Sequence, residues 1–206
     1  MSAAPGDCFD VHAVILAAGQ SSRMGGSNKL LAEFDGQKLV RVVTERALAS
    51  EAYGVTLVTG HEAERIAEAV GDLDIHIVHN AEFASGMASS LKAGVAAVRP
   101  DAAGAMIILA DMPDISQRDL DHLIEAFRKA KGRVIIRAVH NGQRGNPVIL
   151  PRSLFDAVAK LSGDKGARSL IESSIVDVIE IEIGAGALLD VDTPQAMRRA
   201  GGELKR

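Results

Sequence analysis

The stretch Val11-His12-Ala13-Val14-Ile15-Leu16-Ala17 is a nearly unbroken apolar run rich in β-branched residues, and the turn-forming Gly19 follows it closely. A continuous apolar run of this length is typical of a strand that is buried on both faces, as in parallel sheets. The run therefore predicts the first central strand of a sheet that is covered by helices on both sides.

Beyond this strand, apolar segments alternate with amphipathic segments along the whole chain. The spacing predicts helices over 38–50, 61–70 and 87–98, one capped by Ser116, two after residue 150 and one after Pro194. Strands are predicted over 54–59, 75–78, 105–110, 133–139, 147–150 and 176–183, with a polar turn over 141–146. This alternation predicts a three-layer α/β/α sandwich with a Rossmann-like, mainly parallel (mixed) sheet. We expect one domain over 1–206, with residues 1–10 flexible.

The charge balance and the cysteine content restrict the classes of partner. The chain has 23 Lys and Arg against 27 Asp and Glu, a formal charge of -4, so it lacks the basic field that binds nucleic acid or an anionic membrane. Its single cysteine cannot form an intrachain disulfide, and no apolar stretch is long enough to span a bilayer. We therefore expect a soluble, cytoplasmic protein.

The loop after the first strand carries the candidate binding chemistry. Residues 16–29 read Leu-Ala-Ala-Gly-Gln-Ser-Ser-Arg-Met-Gly-Gly-Ser-Asn-Lys. Glycines leave backbone N–H groups accessible to phosphate oxygens, while Arg23 offers a bidentate fork and Lys29 a mobile point charge. Neither G-x-G-x-x-G nor G-x-x-x-x-G-K-[ST] fits, because Gln20 and Ser21 follow Gly19 and Met24 stands where the second P-loop glycine is required. The pattern indicates a triphosphate site of another type.

The loop after Ala17, the turn at Asp111 and the turn at 190–193 each follow a predicted segment of the sheet. Ligands of open α/β sheets bind beyond the carboxyl ends of the strands. If these strands run parallel, the three segments converge at one edge of the sheet.

Several motifs together resemble the nucleotidyltransferases that attach a nucleotide to molybdopterin. They are Leu16-Ala17-Ala18-Gly19-x-Ser21-x-Arg23-Met24-Gly25 with Lys29-Leu30-Leu31, Phe83-x-x-Gly86-Met87-x-Ser89-Ser90-Leu91-Lys92-x-Gly94, Asp111-Met112-Pro113, Arg144-Gly145-Asn146-Pro147-Val148, Gly163-Asp164-x-Gly166-Ala167-Arg168 and Asp190-Val191-Asp192-Thr193-Pro194. Within that group the chain resembles the molybdenum cofactor cytidylyltransferases over nearly its whole length. The resemblance implies a fold of the nucleotide-diphospho-sugar transferase type.

The resemblance implies transfer of CMP from CTP to the phosphate of molybdopterin, with release of pyrophosphate. Guanylyl relatives typically carry a second glycine where Ala18 stands, so Ala18 favours cytosine. A Mg2+ ion is implied as cofactor, with Asp111 as first ligand and Asp192, or less favourably Asp190, as second. Alternatively, Asp111 is a turn residue before Met-Pro, and Asp192 or Thr193 is the cap of a helix that begins at Pro194.

The family pattern assigns three sets of site residues. The catalytic set is Lys29, Arg23 and Asp111. The nucleotide-binding set is Leu16, Ala17, Ala18, Gly19, Ser21, Ser22, Arg23, Gly86, Ser89, Ser90 and Lys92. The acceptor-binding set is Arg144, Gly145, Asn146, Asp164 and Arg168, with Lys165 as a further cation. Ser89 and Ser90 suit close helix packing equally well, and Lys92 a solvated position.

Four alternative functions remain open at this stage. The first two are guanylyl transfer from GTP to molybdopterin and nucleotidyl transfer to another phosphorylated acceptor, such as a sugar phosphate. The third is an NAD(P)-dependent oxidoreductase, which the missing G-x-G-x-x-G disfavours. The fourth is a non-catalytic module that senses nucleotides or delivers the cofactor to a molybdoenzyme client.

Overall fold

The computed structural model describes residues 9–21, 24, 27–163 and 166–203. The strands are β1 (Val11–Ala17), β2 (Glu33–Phe34), β3 (Gln37–Lys38), β4 (Gly54–Thr59), β5 (His76–His79), β6 (Gly104–Leu109), β7 (Ile135–His140), β8 (Gln143–Pro151), β9 (Val178–Glu182) and β10 (Gly202–Glu203). The helices are α1 (Leu39–Ala49), α2 (Ala63–Val70), α3 (Met87–Ala96), α4 (Gln117–Lys129), α5 (Phe155–Ala159), α6 (Ala167–Ser173) and α7 (Pro194–Arg199).

The main sheet confirms the predicted architecture. Its strands lie in the order β5-β4-β1-β6-β8-β7-β9, and only the pairings of β8 with β6 and β7 are antiparallel. The short strands β10, β2 and β3 form a second sheet. As predicted, β1 is an interior strand of the sheet, between β4 and β6. Among the described residues, no helix has both the length and the apolar character needed to cross a bilayer.

Two apolar clusters cover the two faces of the main sheet. One contains side chains of α1, α2, α4 and α7, including Leu39, Ile66 and Phe127. The other contains side chains of α3, α5 and α6, including Leu91 and Leu170. The chain therefore forms the three layers that the sequence pattern predicts. We call the second side the α3–α6 face.

The helix that the spacing predicts to be capped by Ser116 is α4. The Ser116 side chain accepts a hydrogen bond from the Asp119 backbone N–H, and the Asp119 carboxylate accepts one from the Ser116 backbone N–H. This reciprocal capping box satisfies two donors that a helix N-terminus would otherwise leave without partners.

The predicted turn over 141–146 is wrong in length. Asn141 and Gly142 both have positive φ, 49° and 76°, and only these two residues separate β7 from β8. An Asn-Gly pair in this conformation matches the twist of a β-hairpin, so pairing resumes at Gln143. The predicted acceptor residues Arg144, Gly145 and Asn146 therefore lie on a strand and not in a turn.

The predicted helix over 61–70 begins later than the apolar spacing indicates. Glu62 has a φ of 52°, outside the helical region, and α2 starts at Ala63. The left-handed backbone at Glu62 breaks the helical path, which residue spacing alone does not reveal.

His12 on β1 is buried, and its Nε2 atom lies 2.8 Å from the Thr56 hydroxyl. Burial above all, together with the charges of Arg99 and His76, lowers the pKa of His12 from 6.5 to about 4, and Asp101 opposes this shift. Between pH 6.5 and 4 the unfolded state therefore binds a proton that the folded state excludes. The contribution of neutral His12 to stability is complete above pH 6.5 and is lost as the pH falls toward 4.

We expect the free energy of unfolding to decrease less steeply between pH 7 and 4 in His12→Gln than in the unmodified protein. Glutamine can still reach Thr56 with a hydrogen bond but has no titrating group in this range. Urea denaturation at a series of pH values measures both slopes, so the comparison does not depend on the variant's absolute stability. Equal slopes would show that His12 does not cause the acid destabilisation.

Candidate active site

A cavity of about 540 Å3 opens at the carboxyl ends of β1 and β6. Because these neighbouring strands run parallel, the loops that follow both of them meet at the same edge of the sheet. Residues from the loop after β1, from the start of α3 and from the region of Asp111 and Asp192 line the cavity. The predicted convergence of three chain segments is thus confirmed.

Lys29 joins two of these segments. Its Nζ donates hydrogen bonds to Asp111 Oδ2 and to Asp192 Oδ1. The lysine side chain is 12% exposed, and the two carboxylates are 17% and 31% exposed. A buried ammonium requires such partners, since an unpaired charge at this depth would be strongly destabilising.

Local hydrogen bonds hold the backbone that presents Lys29. Asn28 caps the short 3-10 turn Lys29–Leu31 by accepting from the Leu30 backbone N–H at 3.0 Å. The Ser21 hydroxyl accepts from the Lys29 backbone N–H at 3.2 Å, which closes the loop. Ser21 therefore positions Lys29 through its backbone in this structure.

The ionisation of Lys29 reflects opposing effects. Desolvation lowers its pKa, but the charges and hydrogen bonds of Asp111 and Asp192 outweigh it, so the pKa of Lys29 is raised above its ordinary value of 10.5. The ammonium is therefore charged throughout the neutral pH range, and it neutralises part of the negative charge of the two carboxylates.

The loop that carries Asp111 is fixed from two sides. The Val191 backbone N–H donates to the Asp111 carbonyl at 3.1 Å, which ties the 190–192 segment to the end of β6. From α1, the guanidinium of Arg46 donates to the carbonyls of Pro113 and Ile115, the latter at 3.0 Å. These contacts hold both aspartates next to Lys29.

Asp111 and Asp192 suit a divalent cation that also binds a substrate. Asp111 Oδ1 is buried and has no hydrogen-bond partner among the described residues, so it retains an unused acceptor. The described part of the chain contains no cluster of three or more potential metal ligands. Two carboxylates together with substrate phosphates are nevertheless a usual ligand set for Mg2+.

The helix cap before α7 is provided by Thr193, not by Asp192. The Thr193 hydroxyl accepts a hydrogen bond from the Ala196 backbone N–H at 3.1 Å. Of the two predicted cap residues, Thr193 is therefore the one that caps α7, and the Asp192 carboxylate contacts Lys29.

At one wall of the cavity, Ala18 and Phe83 pack closely around Gly60. A Cβ atom placed on Gly60 would lie 2.8 Å from Ala18 Cβ and 2.5 Å from Phe83 Cβ, closer than real contacts allow. Only glycine at position 60 lets Ala18 and Phe83 approach each other here. Ala18 and Phe83 both line the cavity. Phe83 begins the motif over 83–94, in which only residues from Gly86 to Lys92 were predicted to bind the nucleotide.

Ser89 and Ser90 both accept hydrogen bonds from the Asn80 side-chain amide, at 2.8 and 3.0 Å. Ser89 Oγ additionally contacts the carbonyls of Glu82 and Gly86, each at 2.9 Å. The two serines thus hold the start of α3 against the segment after β5. Ser90 also lines the cavity, whereas Ser89 is not among its lining residues.

The other predicted nucleotide-binding residues are placed as follows. Leu16, Ala18, Gly19 and Gly86 line the cavity, together with Asp190. Ala17 is 1% exposed and belongs to the core, and Lys92 does not line the cavity. Ser22, Arg23, Asp164 and Lys165 lie outside the described residues.

The predicted acceptor residues border a second cavity, of about 400 Å3, between β7, β8 and α6. Arg144, Gly145, Asn146 and Arg168 all line it. The cavity also exposes Arg137, which sequence reasoning missed. The signal was present, because Arg137 is a charge inside the apolar run of β7, as Asp111 is a charge at the end of β6.

Curated relatives of the chain carry out more than one chemistry. It is 31% identical over 198 residues to "Nicotine blue oxidoreductase" of Paenarthrobacter nicotinovorans, covering 92% of this chain and 95% of that protein. It is 29% identical to "Molybdenum cofactor cytidylyltransferase" of Escherichia coli, covering 89% and 92%. It is also 29% identical to "Probable molybdenum cofactor guanylyltransferase" of Natronomonas pharaonis, covering 91% and 95%.

Solved structures share the fold over almost the whole chain. The homologue of Rv0371c from Mycobacterium sp. strain JC1 superposes with a TM-score of 0.80 at 32% identity, covering 92% of this chain and 93% of that chain. Rv0371c of Mycobacterium tuberculosis, solved in complex with manganese, superposes with a TM-score of 0.79 at 25% identity, covering 93% and 98%. The family model for the MobA-like NTP transferase domain matches residues 13–178. The chain is a member of the MobA-like NTP transferase family, with the fold of the nucleotide-diphospho-sugar transferases.

Proposed function

We propose that this protein transfers CMP from CTP to the phosphate of molybdopterin, forming molybdopterin cytosine dinucleotide and pyrophosphate. The observation that carries the proposal is the contact of Lys29 with Asp111 and Asp192 at the wall of the cavity after β1. A cation and two carboxylates beside a glycine-containing loop are the groups that transfer at an α-phosphate requires. The cytidylyltransferase of E. coli, a relative over most of both chains, supports the choice of reaction.

In the proposed reaction, a phosphate oxygen of molybdopterin forms a bond to the α-phosphorus of CTP. The bond from that phosphorus to the β-phosphate bridging oxygen breaks, and pyrophosphate leaves with the electron pair. The backbone after Ala17 binds the triphosphate, and Lys29 offsets the negative charge that develops on the transferring group. Arg23, which lies outside the described residues, is proposed to hold the triphosphate from the same loop.

Asp111 and Asp192 are proposed to hold a Mg2+ ion, which supplies Lewis-acid polarisation of the α-phosphate when it is bound. The unused Oδ1 acceptor of Asp111 supports this assignment. Asp190 lines the same cavity and is the alternative to Asp192 as the second ligand.

Pyrophosphate release tests the proposal directly. The purified protein is incubated with Mg2+, molybdopterin and one of CTP, GTP, ATP or UTP, and pyrophosphate is quantified over time. We expect the highest kcat/KM with CTP. Equal or faster release with GTP would replace cytidylyl by guanylyl transfer, and release only with another phosphorylated acceptor, such as a sugar phosphate, would replace molybdopterin.

Ala18→Gly is expected to narrow the preference for CTP over GTP by about tenfold. The methyl group of Ala18 packs beside Gly60 and Phe83, so its removal widens this wall of the cavity. One methyl or methylene group at a binding pocket typically changes discrimination by about ten- to two-hundredfold. The ratio of kcat/KM for the two nucleotides measures the effect. An unchanged ratio would assign base selection to other residues.

A second candidate function is an NAD(P)-dependent oxidoreductase, because the relative from P. nicotinovorans carries the name of an oxidoreductase. The sequence lacks the glycine pattern of a dinucleotide-binding loop at Gly19. The rate of NADPH oxidation with nicotine blue as the oxidant separates the two functions. Turnover of NADPH without pyrophosphate release from any nucleotide would favour the oxidoreductase.

A further inference from the structure

Arg137 is a buried cation on the α3–α6 face of the sheet. It lies on β7, is 7% exposed, and stands opposite Val148 on β8 and Glu180 on β9. Side chains alternate between the two faces of a strand, so Arg137 points to the same side as Ile135, which belongs to the apolar cluster on the α3–α6 face. Burying a charge among apolar side chains is costly unless the charge is paired and its donors are hydrogen-bonded.

The donors of Arg137 are only partly satisfied by the described protein groups. One terminal nitrogen donates to Glu180 at 2.6 Å, but Nε is buried and has no hydrogen-bond partner among the described residues. Glu180 is 41% exposed and is shared with Arg144, whose Nε lies 3.7 Å away. One partly solvated carboxylate therefore serves two guanidinium groups.

The cavity beside Arg137 has the chemistry of an anion site. Arg137, Arg144 and Arg168 line it with the polar side chains of Gln143 and Asn146, and no acidic residue is among its described lining. The nearby acidic partners are Glu180 and Glu172, the latter bound to Arg168 at 3.1 Å. Three arginines facing two carboxylates leave an excess of positive charge.

This arginine cavity and the nucleotide cavity open on the same face of the sheet. Met87 of α3 lines the nucleotide cavity, and a Cβ atom on Gly166 would lie 2.6 Å from its sulfur. Ala167, the next residue along, lines the arginine cavity. The backbone N–H of Ala88 also donates to the carbonyl of Gly163 at 3.1 Å. A short packed segment thus separates the two cavities.

The register of the sheet sets how far apart the two cavities lie. Ile107 on β6 pairs with Val148 on β8, and Val148 pairs with Arg137 on β7, so Arg137 is two strands across from Ile107. Asp111 lies four residues beyond Ile107. From ordinary strand spacing and rise, the Cα atoms of Arg137 and Asp111 are about 16 Å apart. Arg137 lines the arginine cavity and Asp111 lines the other one, so the two side chains face different parts of a bound substrate.

We infer that Arg137 binds a second, negatively charged group of the acceptor, on the side of the molecule remote from the reacting phosphate. The inference rests on the proposed function. The acceptor is then an elongated phosphomonoester that carries a further anionic group. That group binds Arg137 either in place of Glu180 or together with Glu180. Compact phosphomonoesters without that group are then poor acceptors.

Nuclear magnetic resonance of the arginine Nε–H groups tests this site without any turnover. Inorganic phosphate, as the anion probe, is titrated at constant ionic strength into protein labelled with nitrogen-15. The Arg137 signal is identified by its loss in Arg137→Lys. We expect it to shift saturably with phosphate, and to do so also in Lys29→Met, where the nucleotide cavity has lost its cation. An Arg137 signal that does not move, or that moves only when Lys29 is present, would overturn the inference.

Kinetics give the second measurement. Arg137→Met is expected to raise KM for molybdopterin by about ten- to a hundredfold, the usual effect of losing one charge-assisted hydrogen bond, and to leave KM for CTP unchanged. Glu180→Gln is expected to strengthen phosphate binding, because the competing carboxylate loses its charge. The exposed Arg133→Met is the matched control and should leave both KM values unchanged.

The outcomes separate this inference from the proposed function. If no nucleotide and acceptor release pyrophosphate but the Arg137 signal still titrates, the function is wrong and the anion site stands. If CTP and molybdopterin react normally and Arg137→Met changes neither the acceptor KM nor phosphate binding, the function stands and the role of Arg137 is wrong.

Discussion

Asp111→Asn is expected to lower kcat for pyrophosphate release by about a thousandfold while the protein remains folded. Loss of a single group that stabilises transition-state charge typically costs about a hundred- to a thousandfold, and Asp111 is proposed to act through both its own charge and the cation it holds. Asparagine has nearly the same shape and can still accept a hydrogen bond from Lys29, so the loop held by Val191 and Arg46 is expected to persist.

Steady-state kinetics with Mg2+, CTP and molybdopterin measure this loss, and thermal unfolding monitored by circular dichroism verifies the fold. Asp114→Asn is the matched control, because it removes the same charge three residues further on, from an exposed side chain. An Asp111→Asn protein with most of its turnover intact would remove Asp111 from the catalytic site, and a comparable loss in Asp114→Asn would indicate a general effect of charge.

Lys29→Met is expected to have two effects of opposite direction. Turnover should fall by about a hundred- to a thousandfold, because the cation that offsets developing phosphate charge is gone. Affinity for Mn2+ in the absence of nucleotide should rise by about tenfold or more, which corresponds to at least about 1.4 kcal/mol. The reason is that the ammonium of Lys29 binds both Asp111 and Asp192, so a metal ion must compete with it for those oxygens.

Isothermal titration calorimetry with Mn2+ measures the binding effect independently of catalysis. Lys129→Met is the control, since Lys129 is exposed and pairs only with Glu125 among the described residues. If Lys29→Met binds Mn2+ no more tightly than the unmodified protein, Lys29 does not compete with the metal ion at these aspartates. If its turnover is also unchanged, the catalytic assignment of Lys29 is wrong as well.

Local sequence patterns were sufficient for the architecture and for the edge of the sheet at which the cavity beside Lys29 opens. Apolar continuity identified β1 and β6 as buried strands, and parallel strands necessarily bring their carboxyl ends to one edge. The prediction that the segments at Ala17, Asp111 and Asp192 converge required no more than this. The pair Asn141-Gly142 is an equally local indication of a two-residue hairpin turn. It was not recognised because polar residues continue to Asn146, and the predicted turn was therefore too long.

The sequence by itself therefore determined the layered fold and the edge of the sheet where the cavity lies, because periodicity and turn chemistry act between near neighbours. Its motifs indicated the family by resemblance. Only the tertiary structure decided which side chains meet. Lys29 contacts Asp192 across 163 positions of chain, and Arg137 borders a cavity with two other arginines. Such contacts depend on how strands and helices pack in three dimensions, and no residue spacing encodes them.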